Sequence, residues 1–90
     1  GSVSLPEVEV PQRGQHVRML NIHRNVPGVL SKINQVIAES GANIVGQRLA
    51  TSDEVGVLVV DLASDEISET AKALSDAIAA LDTTVRHRLL

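Results

Sequence analysis

The chain has 90 residues, of which 43% are hydrophobic and 21% are charged, which is enough for one domain with a single core. The absence of cysteine excludes disulfide scaffolds and thiol catalysis, and the absence of aromatic residues removes the stacking platform that single-stranded nucleic acid requires. The net charge of −3 gives no attraction to a phosphate backbone, and no apolar run is long enough to cross a bilayer. We therefore expect a cytoplasmic module without nucleic-acid or membrane partners.

The amino-terminal segment differs from the rest of the chain in pattern. It begins with Gly-Ser, which is typical of a tag remnant, and its two prolines resist helix formation. We expect residues 1–15 to be a tag remnant and linker. Residues 16–90 are expected to form the folded domain.

The first half of this domain predicts a strand, a helix and a second strand. Alternation from His16 onward, with apolar residues on both faces, is typical of a central strand. A helical stripe follows, for which Pro27 suits the first turn and Gly41 the left-handed position after the end. The stripe consists of Val29, Leu30, Ile33, Val36 and Ile37. The polar segment from Asn43 to Thr51 is typical of an edge strand.

The second half repeats the order. Val55 to Leu62 is an unbroken apolar run, typical of a strand covered on both faces. Ser64 offers an N-cap for a second helix. The stripe of that helix consists of Ile67, Ala71, Leu74, Ile78 and Leu81. The segment from Thr83 to Leu90 predicts a last strand, with Val85, His87 and Leu89 on one face.

Two strand–helix–strand units with right-handed crossovers interleave into one sheet. We predict an α+β fold, a ferredoxin-like βαββαβ sandwich with a four-stranded antiparallel sheet of order 4-1-3-2 and two helices on one face. The other face would expose apolar residues of the two central strands, Val17, Met19, Val57 and Val59 or their alternates. Such a patch usually marks an interface, so the pattern predicts pairing with another copy or docking within a longer chain.

The loop after the first strand is the candidate binding site. Val26 is a poor N-cap, so the amides at the start of the first helix are available to a carboxylate or phosphate, and Gly28 allows close approach. His23 and Asn25 supply donors and acceptors suited to a small zwitterion. Two alternatives stay open, since Asn25 could itself cap the helix and His23 could be a solvated strand-end residue. Asn43, just after a glycine, could be turn chemistry.

Catalysis and metal binding receive little support from the sequence. No two histidines have the spacing of metal ligands on one element, and no role is predicted for His87. Asp61 lies near the end of a buried strand, but no nucleophile or second carboxylate is placed in the sequence to work with it. The strongest catalytic alternative is an acylphosphatase-like enzyme in which Arg24 and Asn43 hold phosphate, but the loop lacks a run of donors around the arginine. We expect that the domain is not itself an enzyme.

The run NIHRNVPGVLSKINQVIAESGANIVGQ, the valine-rich strand after it and the terminus RHRLL resemble the ACT domains at the carboxyl end of D-3-phosphoglycerate dehydrogenases. The segment LPEVEVP resembles the linker that precedes those domains. The resemblance implies an allosteric site for L-serine, or another small amino acid, at the seam of a homodimer whose two sheets join side by side. The implied ligand-binding positions are His23, Asn25, Pro27, Gly28, Val29, Asn43 and Ile44, with Asn43 contributed by the neighbouring copy.

The same resemblance also has implications for the longer protein to which such a domain belongs. It implies a cytoplasmic NAD-dependent oxidoreductase of serine biosynthesis, with NAD bound by the catalytic part and no cofactor or metal in this domain. An ACT domain that has lost its ligand and serves only in oligomerisation is the alternative within the same family.

Overall fold

The structure is a computed structural model that describes residues 5–7, 17–63 and 68–90. The element bounds are β1 Val17–Arg24, α1 Val29–Ser40, β2 Ile44–Thr51, β3 Val55–Leu62, α2 Ser68–Ala79 and β4 Thr84–Leu89. The strands form one antiparallel sheet in the order β2-β3-β1-β4. This is the predicted order read from the opposite edge, so the prediction of an α+β, ferredoxin-like fold is confirmed.

Several details of the sequence prediction lie outside the described residues, among them most of the 1–15 tag remnant and linker and Ile67 of the second helical stripe. The start of the first strand at His16 and the cap of the second helix at Ser64 also lie there. Within the described ranges, neither helix has the length and apolar character needed to span a membrane.

β1 and β3 are the central strands, and they pair along their full length. The register runs from Val17 opposite Leu62 to Arg24 opposite Val55. Every residue of β3 is buried, as its unbroken apolar run predicts. The edge position of β2, whose residues are half-buried or exposed, also matches its polar sequence.

Both helices pack on one face of this sheet and enclose the core. Its buried members are Met19, Val29, Ile33, Ile37, Leu58, Val60, Leu62, Ala71, Leu74 and Ile78. The helical members fall at the three- and four-residue spacings predicted for the two stripes. Because alternate strand residues share a face, Asn21 and His23 point to the same side as Met19.

Glycines in the left-handed conformation delimit α1. Gly41 follows the last turn with φ 72°, and its N–H donates to Ala38 at 3.4 Å, as predicted. Gly28, with φ 86°, is the N-cap and accepts a bond from the Lys32 amide at 3.1 Å. The prediction that Pro27 occupies the first helical turn is wrong, because the turn through Gly28 delays the helix until Val29.

The face of the sheet opposite the helices is less exposed than predicted. Val57 and Val59 lie on it but are only 5% and 3% exposed. Their neighbours across the two ladders are Leu20, Ile22, Arg48 and Ala50. Val17 and Met19 face the helices instead, because residues paired directly across antiparallel strands share a face and Met19 pairs with Val60.

An ion pair on this same face joins the central strands. Arg18 Nε donates to Asp61 Oδ1 at 2.7 Å, and Arg18 Nη2 donates to Oδ2 at 2.9 Å. The hydrogen bond to Asp61 is the main reason that the pKa of Arg18 is raised. Asp61 therefore has a structural partner directly opposite it in the ladder.

β4 departs from the predicted alternation near its start. Ile22 pairs with Arg86 and His23 pairs with Thr84, which leaves Val85 unpaired in a bulge. Val85 is 59% exposed, so its predicted place on one face with His87 and Leu89 is wrong. His87 remains on the helix side, opposite Asn21.

Gly56 leaves room for a buried ring on the neighbouring strand. It pairs with His23, and a Cβ added at Gly56 would meet His23 Nε2 directly and lie 2.8 Å from Cε1. The ring is 1% exposed and cannot move into open space. A side chain at this position would therefore displace the imidazole.

We predict that Gly56→Ala destabilises the domain by about 1–3 kcal/mol, the usual cost of overpacking. Gly46→Ala is the matched control, because its added Cβ would meet its nearest neighbour, Asp61 Oδ2, at an ordinary 3.5 Å. Urea denaturation of both variants measures the difference. Equal stability of the two variants would contradict the close packing of Gly56 on His23.

Candidate functional site

The loop between β1 and α1 is fastened to the turn between β2 and β3. The Asn25 amide donates to the carbonyl of Glu54 at 2.9 Å, and Asn25 Nδ2 donates to the carbonyl of Ser52 at 2.7 Å. Asn25 is exposed, and its Oδ1 has no hydrogen bond within the described part of the chain. The alternative that Asn25 caps α1 is wrong, since its side chain is bonded to Ser52.

The start of α1 has no side-chain cap. Pro27 and Gly28 are exposed in the turn before it, and Val29 begins the helix with its amide bonded to Val26 at 3.3 Å. The first turn contains no acidic residue to neutralise the positive end of the helix dipole. This arrangement suits an anionic group supplied from outside the helix.

His23 is a buried residue within β1 and not a solvated strand-end residue. Its side chain points to the helix side, where Nδ1 lies 3.0 Å from Asn21 Oδ1. Burial lowers its pKa, because desolvation disfavours the imidazolium form. In the single chain, His23 lies beneath the Asn25 loop, on the helix side of the sheet, and has almost no exposed surface.

Asn43 and Ile44 lie at the other end of the sheet. The carbonyl of Asn43 accepts from Ala63, just beyond the end of β3, whereas Arg24 pairs with Val55 at its beginning. β3 has eight residues, so the two ends are roughly 24 Å apart at about 3.4 Å per residue. The fold brings His23, Asn25, Pro27, Gly28 and Val29 together at one end, and it keeps Asn43 and Ile44 away from them within one chain.

The same separation argues against the acylphosphatase-like alternative. Within one chain, Arg24 and Asn43 lie at opposite ends of β3, too far apart to hold one phosphate together. Arg24 is instead directed to the carbonyl of Asp82, 3.5 Å from Nη2. In residues 5–7, 17–63 and 68–90, no three His, Asp or Glu side chains are grouped in a way that could hold a metal ion.

A polar network that the sequence analysis did not predict connects β1, β4 and α2. Asn21 Nδ2 lies 3.1 Å from His87 Nδ1 and 3.4 Å from Thr84 Oγ1, while His87 Nε2 lies 2.8 Å from Ser75 Oγ. The available signal was the two-residue spacing of Asn21 and His23, which puts both on one strand face. The role of His87 depended on a strand register that sequence alone did not define.

The chain matches, over residues 19–86, the family described as AHAS small subunit-like ACT domain. This match covers most of the chain. The chain belongs to the ACT domain family. Its fold agrees, since the ACT domain of the GTP pyrophosphokinase of Chlorobium tepidum superposes with a TM-score of 0.74 at 15% identity, covering 83% of this chain and 96% of that one.

Curated relatives of this ACT domain include D-3-phosphoglycerate dehydrogenases. The Escherichia coli K12 enzyme is 42% identical over 89 residues, and the Dictyostelium discoideum enzyme is 36% identical over 90 residues. These alignments cover 99% and 100% of this chain but only 21% of each relative. The chain is thus a regulatory ACT domain that resembles the carboxyl-terminal region of those enzymes.

We predict that the domain loses stability as the pH falls below about 6.5, the ordinary pKa of histidine. Burial lowers the pKa of both His23 and His87, the latter despite the opposing charge of Asp76. The unfolded chain therefore takes up protons before the folded one, and stability present above pH 6.5 is lost as the pH falls through the folded pKa values. Thermal denaturation between pH 7.5 and 5 measures this loss.

The matched control for the pH experiment is His87→Gln, which keeps a polar side chain facing Asn21 and Ser75 but cannot titrate. Its melting temperature should depend less steeply on pH than that of the wild type between pH 6.5 and 5. Identical pH dependence in the two proteins would show that His87 does not contribute.

Proposed function

We propose that this ACT domain binds a small amino acid, L-serine first among them, at the seam between two copies. The observation that carries the proposal is the uncapped start of α1 beside the anchored Asn25, with Asn43 at the far end of an edge strand. The relatives from Escherichia coli, Haemophilus influenzae and Dictyostelium discoideum are named D-3-phosphoglycerate dehydrogenase, which favours the end product of serine biosynthesis as the ligand.

In this proposal the ligand carboxylate binds at the amino end of α1. The amides of the first turn point toward the loop, and the helix dipole favours a negative charge there. Gly28 has no Cβ, and nothing lies within 4 Å of the position that a Cβ would occupy. The backbone is therefore accessible to a small anion at this turn.

The ligand ammonium would be held by amide oxygens. Asn25 uses its Nδ2 for Ser52, so the oxygen is the atom that remains for a donor. Asn43 of the neighbouring copy would supply a second amide. His23 would form the floor of this site and meet the side chain of the ligand.

The edge strand β2 provides the pairing surface for a second copy. It exposes two apolar residues, Val45 at 47% and Leu49 at 41%, as well as its unpaired backbone groups. Two β2 strands related by a two-fold axis pair antiparallel, which places the beginning of one beside the end of the other. The partner's Asn43 then lies next to Ser52, the residue to which Asn25 is bonded.

A site assembled from two copies links ligand binding to pairing. Each ligand stabilises the pair, and each pair completes two sites, so the coupling is reciprocal. We propose that this linkage regulates an attached oxidoreductase of the phosphoglycerate dehydrogenase type, in which NAD would bind to the catalytic part and no cofactor is proposed for this domain.

We predict that L-serine raises the melting temperature of the paired domain and that L-alanine and D-serine raise it much less. At 100 times the dissociation constant, the ligand stabilises the folded pair by about 2.7 kcal/mol. Differential scanning calorimetry with a parallel sedimentation measurement tests this. Absence of any shift in a sample that is shown to be dimeric would favour the alternative of an oligomerisation domain without a ligand.

We predict that Ser31→Glu removes the serine effect without harming the fold. Ser31 is exposed and is the third residue of α1, so a carboxylate there occupies the anion site while stabilising the helix end. The melting temperature without ligand should rise or stay unchanged, and the shift with L-serine should disappear. Asn34→Glu, two residues beyond the first turn and also exposed, is the matched control and should keep the shift.

The contribution of two copies is tested by mixing. Neither Ser31→Glu nor Asn43→Ala should bind L-serine by itself, yet a mixed pair contains one site with an unaltered α1 and an unaltered Asn43. Two-fold symmetry gives each heterodimer one intact site of its two. Since random exchange makes about half of the pairs heterodimers, calorimetric titration of an equimolar mixture should recover about a quarter of a site per chain. A mixture that forms heterodimers but binds no L-serine would contradict a site shared between two copies.

A further inference from the structure

The orientation of the Asn21 side-chain amide is determined by Thr84. The Thr84 hydroxyl donates its one hydrogen to the carbonyl of Ile78 at 2.8 Å. Its oxygen can therefore only accept from Asn21, which requires Nδ2 on the side of Thr84 and His87. Oδ1 then faces Nδ1 of His23 at 3.0 Å.

This orientation assigns one tautomer to each histidine. Because Asn21 Oδ1 only accepts, His23 must carry its hydrogen on Nδ1, and Nε2 keeps a lone pair. Because Asn21 Nδ2 only donates, His87 accepts at Nδ1 and carries its hydrogen on Nε2, from which it donates to Ser75 Oγ at 2.8 Å. The two rings are thus held in opposite tautomers by one amide.

We propose that Asn21 is the positioning residue of the ligand site: it makes His23 an acceptor at Nε2, so that the domain prefers amino acids whose side chain donates a hydrogen bond. The inference rests on the proposed function. A ligand hydroxyl satisfies the lone pair of Nε2, whereas a carboxylate side chain meets an acceptor and a methyl group leaves it unpaired. His23 Nε2 has no hydrogen-bond partner among the residues that the structure describes, and the ring itself fills the room left by the missing Cβ of Gly56.

The hydrogen bonds of Asn21 also make a second proton unfavourable on either histidine ring. A second proton on His87 would place N–H against the Asn21 amide hydrogens, while a second proton on His23 would remove the acceptor itself. His87 borders an open depression of about 560 Å³, so solvent reaches this end of the network. The charged groups facing it from α2 are Glu69, Lys72 and Asp76, and β1 presents Asn21 with His23 behind it.

The tautomers are tested directly by imidazole ¹⁵N chemical shifts at pH 7.5, a measurement that needs no ligand. We expect His23 with hydrogen on Nδ1 and His87 with hydrogen on Nε2. Ser75→Ala is the matched control: it removes the far partner of His87 but leaves the bonds of Asn21 in place, so His23 should keep its tautomer. If His23 carries its hydrogen on Nε2 in the wild type, the proposal fails whether or not L-serine binds.

The second arm measures specificity in variants of Asn21. Asn21→Leu should lower the affinity for L-serine about tenfold and leave the affinity for L-alanine unchanged, since one hydrogen bond is lost. Asn21→Asp keeps an acceptor for His23 but adds a charge that favours the imidazolium form. Its L-serine affinity should therefore fall at a higher pH than that of the wild type, a shift that a purely structural role would not produce.

Each outcome of the second arm supports or overturns the proposal. If Asn21→Leu does not fold, the pH profile of Asn21→Asp decides alone. Equal losses for L-serine and L-alanine, or an unmoved pH profile, would contradict a positioning role. A wild-type domain that shows the expected tautomers but binds no amino acid would contradict the proposed function and leave the assignment of the His23 acceptor intact.

Discussion

The pairing of β3 with both of its neighbours is the constraint on which the rest of the structure depends. The buried valine-rich strand fixes the register of β1 on one side and of β2 on the other. Since β3 runs eight residues without interruption, the start of α1 and the start of β2 are held at opposite ends of the sheet. A site that uses both ends therefore needs a second chain, and the sheet presents an edge strand to receive it. Both the architecture and the proposed binding mode therefore follow from the strand pairing of β3.

A second consequence of this ladder concerns the polar groups inside the domain. Asn21 and His23 follow Met19 on the helix side, at the end of the strand where the apolar core stops. Burying two polar side chains is unfavourable unless they are hydrogen-bonded. They bond to each other and, through Asn21, to His87 and Thr84 on β4. The interior at the end of the sheet that faces the loop is thus polar and hydrogen-bonded, whereas the core beyond it is apolar.

Much of this fold could be predicted from the sequence because its signals are local. The run from Val55 to Leu62 and the stripes of α1 and α2 depend only on neighbours along the chain, and the structure confirms them. The bulge at Val85, the depth of His23 and the bonds of His87 depend on how strands align across the sheet. Those alignments are decided by packing between distant segments, such as the close approach of His23 to Gly56. The candidate loop was recognisable in sequence for its uncapped helix, whereas the network behind it was not.

The contact between His23 and Gly56 has an evolutionary consequence. The imidazole of His23 occupies the space that a Cβ of residue 56 would need, so a larger side chain at one position requires a smaller one at the other. A descendant that acquired a side chain at position 56 would need a smaller residue at position 23, and it would give up the imidazole together with its place in the network. The two positions should therefore vary jointly among relatives. A glycine at position 56 would then mark the ACT domains that have room for this buried ring.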